Sequence, residues 1–496
     1  MRDLVLAIDA GGTAVKVLLT DAAGNSIALQ MAAVVTRHYP DGRVERDAEA
    51  FWQATVEAIG KLLAADPSRA GRIAAIGCTG FGNGVFLVDA EGQATRPGIV
   101  SVDHRAQGLV DQLQASGQDA SLSAISGQRL WGGQTLMILA HLSRHEPDVM
   151  ARSRWALSCK DYIRLRLTGQ AFSDTTDAGG GGLMDMASHH YGAALFDQLG
   201  LSGMIDRMPP MVPNSGIGGH VSKQAAAATG LLAGTPLAGS MMDVAACALG
   251  AGVADARSVV MIAGTWSINC IEVPHDTAAQ VPDRAPPLLN MLHRDAACRL
   301  VAEGSPSSAA NLGWYLEQAL GRRVTTAEAN DLVAASPIQG RRCQFLPYIQ
   351  GPAPRSGAFV GLSASDDTGS MLRAIFEGVV FQHRRHVEDI LPFVGGEWPT
   401  TIRLAGGAAR SAQWAQTFAD VCQRPVEVAE VEEVGALGAA ICAAVAGGLH
   451  PDLSTAATAM QRIGRTHNPV RAHGDFYEQR YKEFQRLDLG LLALSV

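Results

Sequence analysis

The stretch Asp9-Ala10-Gly11-Gly12-Thr13-Ala14-Val15-Lys16-Val17-Leu18-Leu19-Thr20-Asp21 follows the apolar run Leu4 to Ile8. An apolar run, a glycine-threonine turn and a second apolar run spell strand, tight turn, strand. Glycine admits positive φ and lets backbone amides approach a ligand closely. Threonine adds a hydroxyl that can bond an oxyanion. The pattern returns from Met261 to Val273, as MIAGTWSINCIEV, after Ser258-Val259-Val260. Gly12 and Gly264 stand about half of the 496-residue chain apart. The two turns therefore read as a duplicated phosphate clamp, one opening each half.

Outward from these turns, strand-like and helix-like runs alternate, which predicts an α/β architecture. Leu4 to Ile8 and Val15 to Thr20 read as a hairpin, and Ala48 to Ala65 as a helix. Ile73 to Thr79 reads as a buried strand running into Gly80-Phe81-Gly82-Asn83-Gly84. Helices are expected at Leu136 to His145, Tyr162 to Leu167, Gly369 to His386 and Ser411 to Cys422. Gly179-Gly180-Gly181-Gly182 reads as a flexible or tightly packed turn, and Pro236 to Ser240 as a strand. The strand-turn-strand pattern restarts beyond Gly239 to Asp243, so the domain boundary is expected there, giving residues 1–241 and 242–496.

Hydrophobic residues at 47% and charged residues at 18% supply core for two large domains. A net charge of −8 argues against non-specific nucleic-acid binding. It leaves phosphorylated ligands open, because local backbone amides bind anions in acidic proteins too. The eight cysteines form no CxxC pair, so buried free thiols in a reducing compartment are expected. No signal peptide is visible, and the longest apolar stretch, Val434 to Leu449, is too short and too rich in alanine and glycine for a membrane span. No membrane partner and a cytoplasmic location are the expectation.

Five constellations carry chemistry. Asp9, Gly11, Gly12, Thr13 and Lys16 combine a phosphate turn with an acid that can hold hydrated Mg²⁺ and a lysine that can neutralise phosphate charge. An ordinary hairpin with satisfied turn hydrogen bonds is the plainer reading. Gly264 and Thr265, with Ser267 nearby, suit the other side of a polyphosphate. Asp243, in GSMMDVAACALGAG, stands between a strand and a small-residue helix. It reads as an N-cap, as a general base for an attacking hydroxyl, or as both. Gly406-Gly407-Ala408 with Ser411 and Trp414 forms a strand, double-glycine turn and helix start, a backbone platform for adenine or ribose or a site of helix packing. The loop Phe81, Gly82 and Asn83, with Asp103, Arg105 and Trp131, suits a small polyol. Asp103 and Arg105 alternatively pair with each other, and Trp131 fills core.

Together these residues resemble the FGGY carbohydrate kinases over nearly the whole chain. DAGGTAVK resembles the family's first phosphate motif, GSMMDVAACALGAG its catalytic-aspartate segment and MIAGTWSIN its second phosphate turn. FLPYIQG (345–351), GLSASDDTGSMLRAIFEGV (361–379), GGAARSAQWAQTFADV (406–421) and EEVGALGAAICAA (432–444) follow in the family's order. The resemblance implies two actin-like (ribonuclease H-like) α/β domains with an ATP and sugar cleft between them, the first sugar-binding and the second nucleotide-binding. It implies γ-phosphoryl transfer from MgATP to a sugar hydroxyl. Asp243 would be the base. Gly11, Gly12, Thr13, Lys16, Gly264 and Thr265 would hold phosphates, Gly406, Gly407 and Ser411 would line the adenosine side, and Asp9 would sit near the metal.

The sequence departs from the pattern in three places. Leu139-Ala140-His141-Leu142 replaces a lysine-x-tryptophan signature, Gly351-Pro352-Ala353 a Gly-Glu-Arg, and Phe81-Gly82 the Met-His pair of D-xylulose kinases. Within the family the look is nearest to L-xylulose and 3-keto-L-gulonate kinases, with D-xylulose, L-ribulose and four-carbon polyols open. A homodimer is expected from the resemblance. A nucleotide-dependent regulator and a silent sugar-binding protein are the rival readings.

Overall fold

The computed structural model describes residues 2–253, 255–277, 284–321, 324–340, 342–350 and 355–494. Gly351-Pro352-Ala353 lie outside them. The chain divides into two compact units. One takes Met1–Gly252, Val273–Val301 and Glu433–Gln461, and the other takes Val253–Glu272, Ala302–Glu432 and Arg462–Val496.

The first unit is built on a six-stranded sheet in the order Ile217–His220, Pro236–Ala238, Ile73–Gly80, Leu4–Ala10, Ala14–Asp21, Ser26–Ala33. The Gly-Thr turn closes the antiparallel pair Leu4–Ala10 and Ala14–Asp21, as the sequence predicts. Ile73–Gly80 lies parallel to Leu4–Ala10 with Gly80 opposite Ala10, and Pro236–Ala238 lies parallel to Ile73–Gly80. Strands covered on both faces are apolar throughout rather than alternating, and Leu4 to Ile8 and Ile73 to Cys78 are buried without a break.

The helix Ala48–Ala64 buries Phe51, Trp52, Ile59, Leu62 and Leu63. Its N-cap Asp47 accepts the N–H of Ala50. The helices Asp243–Ala251 and Val434–Ala446 meet backbone to backbone. A Cβ on Gly438 would lie 1.9 Å from Ala246 O, and one on Gly250 would lie 2.0 Å from Val434 O. The same late helix presses on the sheet, where a Cβ on Gly77 would lie 2.1 Å from Ala439 O. Small residues in Val434–Ala446 thus serve close packing.

Two expectations shift. Gly179 and Gly180 end a helix, Thr175–Gly180, and only Gly181 and Gly182 turn. The cause is Asp174, an N-cap whose carboxylate accepts the N–H groups of Thr176 and Asp177. The strand expected to reach Ser240 stops at Ala238, because Ser240 takes a left-handed φ of 58°.

The second large sheet has seven strands, in the order Leu289–Leu292, Cys298–Ser305, Ser267–Pro274, Ser258–Ala263, Thr401–Ala405, Val426–Ala429, Ile463–His467. Ser258–Ala263 pairs antiparallel with Ser267–Pro274 and parallel with Thr401–Ala405. Val426–Ala429 extends the parallel part and Ile463–His467 closes it antiparallel. Inward of the edge strand Leu289–Leu292 the first sheet's order is repeated: a hairpin with a third strand outside it, two parallel strands, an antiparallel edge. The helix Thr368–Ile390 packs on the sheet's neighbour Ala412–Cys422, with Phe376 stacked on Trp414 at 4.2 Å between ring centroids. All eight cysteines are free, and seven are buried. Among the described residues no helix is long and apolar enough to cross a membrane.

Candidate active site

In open α/β sheets ligands bind beyond the carboxyl ends of the parallel strands. Three such ends converge in the first unit. Leu4–Ala10 feeds Gly11-Gly12-Thr13, Ile73–Gly80 feeds Phe81 to Gly84, and Pro236–Ala238 feeds the segment to Asp243. Gly11 N–H bonds Ala14 O at 3.1 Å and leaves Gly12 and Thr13 exposed. Beneath the turn the buried Arg46 donates to Gly11 O at 3.1 Å, to Gly12 O, and to Thr36 Oγ1 at 2.7 Å. Sequence reasoning missed this brace, because Arg46 lies in a three-residue strand, Val44–Arg46, without any motif.

Asp9 sits at the end of its strand. Burial pushes its carboxyl up to about 6, with Lys16 opposing and the Glu433 charge adding. Lys16 Nζ pairs with Glu433 Oε2 at 2.5 Å.

Asp243 is the first helical residue, and Met242 is the N-cap. The expectation of an N-cap aspartate is corrected accordingly: its carboxylate accepts the N–H of the next residue, Val244, at 2.7 Å, rather than one two or three positions on. Burial, then the Asp9 charge, push Asp243 up to about 7, while the Val244 and Gly82 amides pull it down. The Gly82 amide ties Asp243 to the glycine loop singled out for a polyol. The side chain stays partly accessible.

Within that loop Phe81 turns into the core, 6.4 Å from Phe86 and with the Arg46 guanidinium 5.3 Å above its ring. A Cβ on Gly82 would lie 2.2 Å from Met242 Cε, so a side chain there would displace the methionine tip. Asn83 has φ 66°, and its Oδ1 accepts Thr135 N–H at 3.3 Å. Asp103 is fully buried. It accepts Val44 N–H at 2.6 Å and both sides of the Arg105 guanidinium, which also reaches Glu45 at 2.7 Å. Trp131 is half-buried against Gly133. Gln134, the next polar side chain, escaped the sequence reading. It is wholly buried, and neither of its amide atoms has a hydrogen-bond partner among the described residues.

The second unit carries a matching edge. The Gly264-Thr265 turn is held by Gly264 N–H to Trp266 O at 3.2 Å and Ala309 N–H to Gly264 O at 2.9 Å, with Thr265 exposed. Ala405 lies opposite Ile262, so Gly406-Gly407 emerges beside that turn. Gly406 has φ 83°, and a Cβ there would lie 2.6 Å from Ala263 O and 3.0 Å from Gly264 N. Ser411 is buried as an N-cap, accepting Trp414 N–H at 3.0 Å and donating to Asn330 Oδ1 at 2.7 Å. Under the turn, Ser267 Oγ meets His386 Nδ1 at 3.0 Å, and His383 bridges Asn269 Oδ1 at 2.7 Å and Ser308 Oγ at 3.1 Å. Burial holds His383 well below the ordinary imidazole range, so it stays neutral. Both histidines read as ordinary helix residues in the sequence.

Two sheets that share an order of six strands, each with a glycine-threonine turn at its carboxyl edge, one with an acid raised toward neutrality and the other with a glycine platform, define a phosphotransferase of small hydroxyl compounds. Family models agree: the FGGY carbohydrate kinase N-terminal domain matches residues 4–250 and the C-terminal domain residues 259–447. The chain belongs to the FGGY family of carbohydrate kinases, with the actin-like two-domain fold. It is 31% identical to the L-xylulose/3-keto-L-gulonate kinase of Escherichia coli (strain K12), over 98% of this chain and 97% of that protein. It is 29% identical to the erythritol kinase of Brucella abortus (strain 2308), over 99% and 96%. Among solved structures, the xylulose kinase from Rhodospirillum rubrum superposes with TM-score 0.85 at 27% identity, covering 99% of each chain.

Proposed function

We propose that the chain transfers the γ-phosphoryl group of MgATP to a hydroxyl of a pentulose-type sugar, L-xylulose or 3-keto-L-gulonate before others, with Asp243 as general base. The observation that carries the base is the Asp243 carboxyl at the joined strand ends, pushed up to about 7. A base with pKa near the working pH combines the right protonation state with a real drive to take a proton. The hydroxyl oxygen attacks the γ-phosphorus, its proton passes to Asp243, and the bond to the β-phosphate oxygen breaks to release ADP. Gly11, Gly12, Thr13, Lys16, Gly264 and Thr265 are the groups we assign to the phosphates. Gly406 and Gly407 take the adenosine side, with Ser411 shaping the helix start behind them.

Mg²⁺ fits the first unit's donor set. Asp9 is an oxygen donor whose carboxyl is pushed up to about 6 by burial, and a hard cation suits such a group. Asp9 would hold the ion through water, and the ion would screen the phosphate charges.

Asn83, Trp131 and the orphaned amide of Gln134 are the groups we assign to sugar hydroxyls. Phe81, Gly82, Asp103 and Arg105 shape the wall behind them. The substrate class rests on the named L-xylulose kinases among the relatives, and the erythritol kinase keeps four-carbon polyols as the second reading. Family membership sets aside the regulator and silent-binder readings. Residues 1–241 as the sugar side and 242–496 as the nucleotide side, a homodimer and a cytoplasmic location belong to the same proposal. The test is ADP release with MgATP against D- and L-ketopentoses, keto-hexonates and C3 to C6 polyols. One L-ketopentose or keto-hexonate standing far above the rest in kcat/KM supports the reading. A polyol in that place transfers it to the second.

A further inference from the structure

The segment Gly239-Ser240-Met241-Met242, which delivers Asp243, is held at every residue by a buried polar group. Arg164 donates to Gly239 O. Ser240 Oγ accepts Cys78 N–H at 3.0 Å, and Thr79 Oγ1 donates to Met241 O at 2.9 Å. Met242 N–H donates to Thr176 Oγ1 at 2.8 Å. Thr176 in turn donates to Asp174 Oδ1 at 2.5 Å. Asp174, Asp161 and Asp177 surround Lys160 Nζ, with Asp161 at 2.8 Å and Asp177 at 2.5 Å. Arg164 also pairs with Asp161. Lys160, Arg164, Asp174, Thr176, Thr79 and Ser240 are all fully buried.

The three carboxylates lie close enough together to suggest a metal site, but Lys160 and Arg164 already supply the compensating charge. Burying two cations and three acids is costly, and their mutual pairing offsets that cost only when hydrogen bonds satisfy the remaining lone pairs. Meanwhile Ser240 keeps a left-handed backbone that a non-glycine residue adopts reluctantly. Strain of this kind persists where surrounding structure over-determines it. A rigid ionic base under a strained segment is an arrangement suited to holding one carboxylate in place.

We propose that Thr176, fixed by Asp174 and Lys160, is a positioning residue that sets the placement of Asp243 through the Met242 amide. This rests on the reading of Asp243 as the base. Removing the hydroxyl leaves the Met242 N–H unpaired and lets the helix start drift, and a misplacement of about 1 Å can cost about a hundredfold in rate.

The experiment measures kcat and both KM values with L-xylulose and MgATP for the native enzyme, Thr176→Val, Thr176→Ser and Asp243→Asn, with thermal melts for each. Thr176→Val is expected to lower kcat about 10- to 100-fold with both KM values within about twofold. Thr176→Ser, which keeps the hydroxyl, should restore most of the rate. Native kcat in Thr176→Val overturns the inference, and so does a Ser variant as slow as the Val one. Should Thr176→Val fail to fold, Thr79→Val and Thr79→Ser at the Met241 carbonyl carry the same expectation and the same overturning results. Near-native turnover in Asp243→Asn sinks the base reading itself. Collapse there with a native Thr176→Val sinks the positioning role alone.

Discussion

Lys16 Nζ lies 2.5 Å from Glu433 Oε2, joining residues 417 apart in sequence. The pair fixes the lysine of the first turn to the start of the helix Val434–Ala446. Beside it, a Cβ on Gly435 would lie 3.8 Å from Asp9 Oδ2. The lysine is thus pre-set at the mouth of the turn rather than free in solvent. Lys16→Met should raise KM for MgATP about tenfold, the worth of one charge-assisted hydrogen bond. An unchanged KM would assign Lys16 to the ion pair alone.

Asp243 predicts a pH profile. A general base works only when deprotonated, so activity should fall as pH drops through about 7. The limb is read from kcat/KM against pH. Asp243→Asn should lower kcat by about 10²- to 10⁴-fold while ATP binding survives in calorimetry.

The same carboxyl predicts a stability effect of opposite direction. Its folded value is raised, so the folded state binds more protons than the unfolded chain between the ordinary carboxylate range and about 7, and stability rises as pH falls across that window. Asp243→Asn removes the penalised charge. It should melt a few degrees above the native protein at pH 8, and the gap should narrow steadily as pH falls to 5.

Gln134 separates binding from folding. Its side-chain amide is buried without partners among the described residues, which costs stability. Gln134→Leu should leave the melting temperature equal or higher and raise KM for the sugar about tenfold or more. A lower melting temperature with unchanged KM would make the residue structural.

Gly406 tests the nucleotide side. Its φ of 83° and the 2.6 Å approach to Ala263 O forbid a side chain without shifting the Gly264 turn. Gly406→Ala should raise KM for MgATP while sugar affinity, measured by calorimetry, stays native.

The sequence by itself determined the period of the fold. Two strand-turn-strand signatures and continuous apolar runs are local patterns, and local hydrophobic period specifies strands and helices. The Gly-Thr turns and the Gly406-Gly407 turn are legible for the same reason, since each sits where a strand ends and glycine breaks the run, and Asp243 stands out as an acid at the start of a small-residue helix. Tertiary structure alone decided which polar side chains are spent within the fold. Asp103 closes on Arg105, which reaches on to Glu45, and Ser411 closes on Asn330, because partners 60 and 81 positions away come within hydrogen-bonding reach. It also decided that Arg46, Gln134, Thr176 and His383 are buried and what surrounds them, since burial and long-range pairing have no signature in neighbouring residues. The strained Ser240 is the clearest instance. Its backbone is set by contacts from Cys78, 162 residues earlier, and only a folded chain brings that amide to its hydroxyl.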